Sequence, residues 1–126
     1  MCKAKKILFI EDSPTIIALI KMRLEASGFI FLSAIDGLSG IELAKKEMPD
    51  LILLDVKMPG IDGFETCKRL KNDKDTEAIP VLFLTAEAQE DDRAEGRRSG
   101  CNGYITKPFM GQELVEEIKE WLDRDG

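Results

Sequence analysis

The chain has 126 residues, 44% hydrophobic and 33% charged, with a net charge of -6 and no histidine. One domain spanning residues 1–126 is expected, long enough to bury roughly two-thirds of its unfolded surface. That composition excludes a disordered chain, no apolar run approaches the roughly 20 residues that cross a bilayer, and the acidic balance argues against intrinsic nucleic-acid binding. The start, MCKAKKILFI, lacks the apolar segment and cleavage site of a signal peptide. Cys2, Cys67 and Cys101 are odd in number and widely spaced, with no CxxC. They read as reduced thiols of a cytoplasmic protein, and without histidine neither a zinc site nor a Ser-His or Cys-His catalytic pair is expected.

Along the chain, strand-like and helix-like patterns alternate. Lys6 to Ile10 is a short apolar run and predicts a buried strand. Ser13 and Pro14 supply an N-cap and a first helical position, Ile16, Leu19, Ile20 and Leu24 recur at helical spacing, and Gly28 stops the helix. Phe29 to Ile35 predicts a second strand, and Leu38, Ile41, Leu43, Ala44 and Met48 a second helix ending before Pro49. Leu51 to Leu54 is the third strand and Phe64 to Leu70 opens a third helix. Val81 to Leu84 is the fourth strand, followed by a polar helical segment from Gln89 to Ser99. That fourth helix offers only Ala88 and Ala94 as apolar anchors, and Gly96 costs it about 1 kcal/mol. Tyr104 and Ile105 mark a fifth strand, and Leu114, Val115, Ile118, Trp121 and Leu122 line one face of a fifth helix. Five strands alternating with five helices require a parallel α/β sheet covered on both faces.

In such a sheet functional groups gather at the carboxyl ends of the strands. Those ends carry Glu11 and Asp12, then Asp55, then Thr85, then Lys107 before Pro108, while Ile35 and Asp36 end the second strand to one side. Each has an ordinary explanation: a turn or cap carboxylate, a helix-start acidic pair, a strand threonine, a solvated lysine. Jointly these explanations fit poorly. Three clustered carboxylates repel one another unless a cation sits among them, and oxygen ligands with retained waters are what Mg²⁺ takes. A lysine and a hydroxyl beside that metal suit a phosphoryl group, which an aspartate can accept covalently. Asp55 thus ends the most apolar strand because the strand mounts a nucleophile.

The segments KKILFIEDSP, LILLDVKMPGIDGFE, IPVLFLTA and GYITKPF occur in this order. With them the chain resembles a two-component response-regulator receiver domain of the single-domain chemotaxis or sporulation type, over nearly its whole length. The resemblance implies a flavodoxin-like sheet of order 2-1-3-4-5. It implies Asp55 as phosphoacceptor, and Mg²⁺ held by Glu11, Asp12, Asp55 and the backbone carbonyl of Lys57. It further implies Thr85 as switch hydroxyl, Ala86 as the small residue leaving room for the phosphoryl group, Lys107 as its ion-pairing lysine and Tyr104 as an aromatic rotamer switch. Pro108 matches a proline whose preceding peptide is typically cis. Glu11 departs from the commoner aspartate by one methylene. Implied partners are a histidine kinase or phosphotransfer protein and a downstream target or fused output domain, with no nucleic acid or membrane contact and a monomer or weak dimer. Lys57 and Glu87, each two residues past a site residue, are expected to gate the water that hydrolyses the phosphoaspartate.

Two other classes fit less well. A haloacid-dehalogenase-type phosphatase needs a second acid two residues after the nucleophile, where this chain has Lys57, and a cap that its length excludes. A receiver fold that is never phosphorylated usually lacks one of the acid pair, the aspartate or the lysine, and all are present here.

Overall fold

The computed structural model describes residues 4–56, 60–85, 100–106 and 112–124. Five strands, β1 (Lys6–Ile10), β2 (Ile30–Ala34), β3 (Leu51–Leu54), β4 (Val81–Thr85) and β5 (Gly103–Thr106), form one parallel sheet of order β2-β1-β3-β4-β5. Among the described residues four helices cover it: α1 (Pro14–Ala26), α2 (Gly37–Glu47), α3 (Gly63–Lys71) and a last helix, Gln112–Arg124. The segment expected as a further helix, Gln89 to Ser99, lies outside the described residues.

Alternation along each strand splits the core in two. Ile7, Phe9, Leu51, Leu53, Leu82, Leu84 and Ile105 face α1 and the last helix, where they meet Ile20, Leu24, Leu114, Val115 and Ile118. Leu8, Ile10, Ile52, Leu54, Val81 and Phe83 face the other way, against Ala44 of α2 and Cys67 and Leu70 of α3. The residues of β3 and the four apolar residues of β1 are fully buried, as a strand sandwiched between helix layers must be. Each such large side chain contributes about 1.5–3 kcal/mol relative to exposure. Trp121 and Leu122 pack at the margin of the first cluster, completing the face expected of the last helix.

Local chemistry sets the helix starts. Ser13 caps α1, its Oγ accepting the Ile16 N–H at 3.4 Å, with Pro14 in the first turn. Gly28, at φ +92°, follows the last turn of that helix. Two helices depart from the apolar spacing of the sequence. Leu19 is 46% exposed, because the buried stripe of α1 runs through Ile20 and Leu24 and leaves Leu19 at its margin. Leu38 of α2 and Met48, its C-cap, are exposed, and the buried residues of the helix are Gly37, Gly40 and Ala44. Small residues bring α2 close to the sheet: a Cβ on Gly40 would collide with the Ile10 side chain.

Candidate functional site

Glu11 directly follows β1 and Asp55 directly follows β3, and the two strands are neighbours with Ile10 opposite Leu54. The Asp55 N–H donates to the Ile10 carbonyl at 3.1 Å, continuing the ladder past the strand ends. Glu11, Asp12 and Asp55 therefore meet at the carboxyl edge of the sheet, one carboxylate oxygen of each lying within 4.8 Å of the others. Glu11 is buried, Asp55 half-buried and Asp12 exposed, so the cluster opens to solvent on the Asp12 side.

Glu11 is fixed from below. Its Oε2 accepts the backbone N–H groups of Asp12 and Ser13, both at 3.0 Å. Burial pushes its carboxyl up from the ordinary 4.5 to about 7, the charges of Asp55 and Asp12 add to the rise, and the Ser13 N–H opposes it. The donor set is all oxygen and hard. The three carboxylate oxygens, within 4.8 Å of one another, are close enough to share one small oxygen-coordinated ion. The residues present fit a small divalent cation.

Asp55 is braced by the segment behind it. The Gly63 N–H donates to the Val56 carbonyl at 2.8 Å, and a Cβ on Gly63 would collide with the Asp55 carbonyl oxygen and crowd the Val56 Cα at 2.8 Å. Asp62 is the N-cap of α3, its Oδ1 accepting the Glu65 N–H at 2.9 Å, and is not in the acidic cluster. Asp36 is likewise a cap: its Oδ1 accepts the Ser39 N–H at 2.8 Å and the Ser39 hydroxyl at 2.7 Å, which holds its carboxyl below the usual range.

Tyr104 lies on β5 with Phe83 as its strand partner. The two rings sit 5.4 Å apart at a 31° tilt, and Phe83 meets Phe64 of α3 edge-on at 5.3 Å. The Thr85 backbone ends β4 beside Thr106. The Thr85 hydroxyl, Lys57, Ala86, Glu87, Lys107 and Pro108 lie outside the described residues. Sequence reasoning did not single out Gly63. Its signal was the Asp62–Gly63 pair after the strand, where only a residue without a side chain lets α3 start against the Asp55 backbone.

Comparison with known proteins agrees with this geometry. Residues 7–119 match the family described as "Response regulator receiver domain". The chain is 40% identical to Protein PilH of Pseudomonas aeruginosa over 93% of its own length and 97% of PilH. It is 43% identical to the DNA-binding dual master transcriptional regulator RpaA of Synechocystis sp. over 94% of its length, but that match spans only 49% of RpaA. The chain thus spans about half the length of some relatives and nearly all of others. In three dimensions it is similar to the chemotaxis protein CheY4 of Vibrio cholerae, with TM-score 0.89 and 30% identity over 94% of this chain and 98% of that one. The receiver domain of the sensor histidine kinase PA1611 from Pseudomonas aeruginosa, described as having a magnesium ion coordinated in its active-site cleft, gives TM-score 0.88 and 28% identity over 96% and 99%. With the sheet order, the clustered acids at its carboxyl edge and a family match across most of its length, this chain belongs to the response regulator receiver domain family.

Proposed function

We propose that this chain, as one receiver domain over residues 1–126, accepts a phosphoryl group on Asp55 from a histidine kinase or phosphotransfer protein. The observation that carries the reading is the convergence of Glu11, Asp12 and Asp55 at the ends of two adjacent buried strands. A carboxylate oxygen of Asp55 attacks phosphorus, the phosphorus–nitrogen bond of the donor phosphohistidine breaks, and the imidazole nitrogen leaves with the electron pair. Glu11, Asp12 and Asp55, with the backbone carbonyl of Lys57, would hold Mg²⁺, which when bound neutralises charge gathering on the phosphoryl oxygens. β3 serves as a rigid mount, and the Asp12 and Ser13 amides keep Glu11 pointed at the site.

In the same reading Thr85 and Lys107 move toward the new phosphoryl oxygens, Ala86 leaves room for them, and Pro108 sets how Lys107 enters. Tyr104 follows and shifts a two-state equilibrium on the face formed by the fourth helix, β5 and the fifth helix. The output is a downstream partner or a fused domain rather than a metabolite, the setting is cytoplasmic, and the chain promotes only its own phosphorylation and dephosphorylation. Among the described residues no helix is long and apolar enough to cross a membrane.

Labelling with acetyl phosphate tests it. Intact-mass measurement should show one added phosphoryl group when Mg²⁺ is present, and none with chelator or in Asp55→Asn. Labelling of Asp55→Asn at the wild-type rate would place the nucleophile elsewhere.

A further inference from the structure

The sheet has two edges, and among the described residues no strand pairs with the outer side of β2. The Ile30 N–H donates to the Lys5 carbonyl at 2.9 Å, and the Ala34 carbonyl accepts the Glu11 N–H at 3.0 Å. In a parallel ladder alternate residues bond to the same neighbour. Ile30, Leu32 and Ala34 therefore bond inward to β1, and the N–H and C=O groups of Phe31 and Ser33 point outward, with no partner strand among the described residues. Natural edges are normally blunted by lysine, proline or an inward charge. From Gly28 to Ile35 this chain has neither a charge nor a proline, and its isoleucines and phenylalanines favour extended pairing. Two of the exposed large apolar side chains, Ile30 and Ile35, lie on or directly after this strand, Ile35 at 64% exposure. Beside it a groove of about 430 Å³ lies between β2 and α2, lined by Ala34, Ile35 and Leu43 together with Ser39, Glu42 and Lys46.

We propose that the outer edge of β2 takes an extended peptide segment of a partner protein as a sixth strand. The Phe31 and Ser33 backbone groups hydrogen-bond the guest, and the groove along α2 receives its apolar side chains at alternate positions. Strand addition is the binding mode that satisfies such an edge, with main-chain bonds supplying affinity and side-chain pockets supplying preference. A second copy of this chain is the poorer occupant. Two chains at -6 each would be brought together along a short edge. An uncharged or basic segment meets no such repulsion. The site lies apart from Asp55 and does not depend on phosphotransfer.

Ser33→Pro isolates the edge, because it removes an outward N–H while leaving the β1 ladder bonded. Ile35→Glu is the second variant, acting through charge rather than backbone. A displayed library of random seven-residue peptides should enrich sequences with apolar residues at alternate positions, and the enriched peptides should slow amide exchange at Phe31 and Ser33. Both variants should weaken their binding at least tenfold while acetyl phosphate labelling stays at the wild-type level, which shows that the fold is retained. Failure to enrich any peptide, or enriched peptides that bind Ser33→Pro equally well, overturns the proposal. A concentration-dependent dimer abolished by Ser33→Pro would overturn it in favour of a second copy.

Discussion

Gly63 lies so close to Asp55 that a methyl group on its Cα would occupy the space of the Asp55 carbonyl oxygen. The obstacle is backbone on both sides, so neither a rotamer change nor a small side-chain shift relieves it. Gly63→Ala should displace the Asp55 peptide or push α3 outward, at a cost of about 1–3 kcal/mol for overpacking. Labelling by acetyl phosphate at saturating Mg²⁺ should slow at least tenfold, and denaturant unfolding should report the stability loss. A destabilised variant with wild-type labelling would show that Asp55 is positioned from the β1 side alone.

Glu11 gives the site a pH dependence of definite sign. Its carboxyl is raised from 4.5 to about 7, so the folded chain holds that proton more tightly than the unfolded chain. The stabilisation is present in full below pH 4.5 and is lost as pH rises toward 7, on the order of 3 kcal/mol in all. Asp36, Glu65 and Asp73 are shifted downward by their hydrogen-bond donors, so their contribution is lost on acidification below about pH 4, outside that window. Without metal, the denaturation midpoint should fall between pH 4.5 and 7, and Glu11→Gln should flatten the fall. Saturating Mg²⁺ should offset it, with apparent affinity dropping as the pH is lowered below 7 because the ion must displace the proton. A flat metal-free profile for the wild type would refute the raised carboxyl.

Kinase docking is expected on α1. Ile17 is half-buried, Ala18 exposed and Met22 70% exposed, all off the buried Ile20 and Leu24 stripe and close in sequence to Asp12. Exposed Leu19 widens the same apolar surface. Ile17→Glu should slow phosphotransfer from a phosphohistidine donor at least tenfold and leave acetyl phosphate labelling intact. Equal loss with both donors would point to misfolding.

Phosphoryl lifetime is expected to depend on Lys57 and Glu87. The two residues follow Asp55 and Thr85 at the same two-residue spacing and carry opposite charge, and a pair formed between them would be worth about 0 to 1 kcal/mol. That favours a closed mouth by a factor of about five at most. Lys57→Ala and Glu87→Ala should each speed dephosphorylation a few-fold, with little added by the double change. Unchanged single-turnover rates in both would remove the gate.

Much of this architecture was legible in the residues, and for stated reasons. Ser13 with Pro14, and Gly28 after the last turn, bounded α1 because capping is local chemistry. The apolar runs at Lys6 to Ile10 and Leu51 to Leu54 named the central strands because burial on both faces leaves no polar alternation to confuse. Glu11, Asp12 and Asp55 were found through their strand ends. What was not legible depended on close approach. Ala44 was read on α2 and is buried there, but nothing in the period of Leu38, Ile41 and Met48 says that the helix also packs through Gly37 and Gly40, and nothing in Asp62 alone says that it caps α3 rather than joining the acids. Exposure of Ile30 likewise depends on β2 being the edge, which is a property of the sheet and not of the segment.

The register of Ile10 opposite Leu54 makes the span between Glu11 and Asp55 a backbone dimension. Adjacent strands lie about 4.8 Å apart whatever their side chains, so exchanges among core residues beneath the site leave its gauge unaltered. Insertions behave in the opposite way. One residue added to β1 or β3 would move a carboxylate by about 3.3 Å along the strand and turn it to the other face of the sheet. The site is therefore tolerant of chemical variation below it and intolerant of any change in count. Sequence drift in the two central strands is channelled into substitution, with length held fixed.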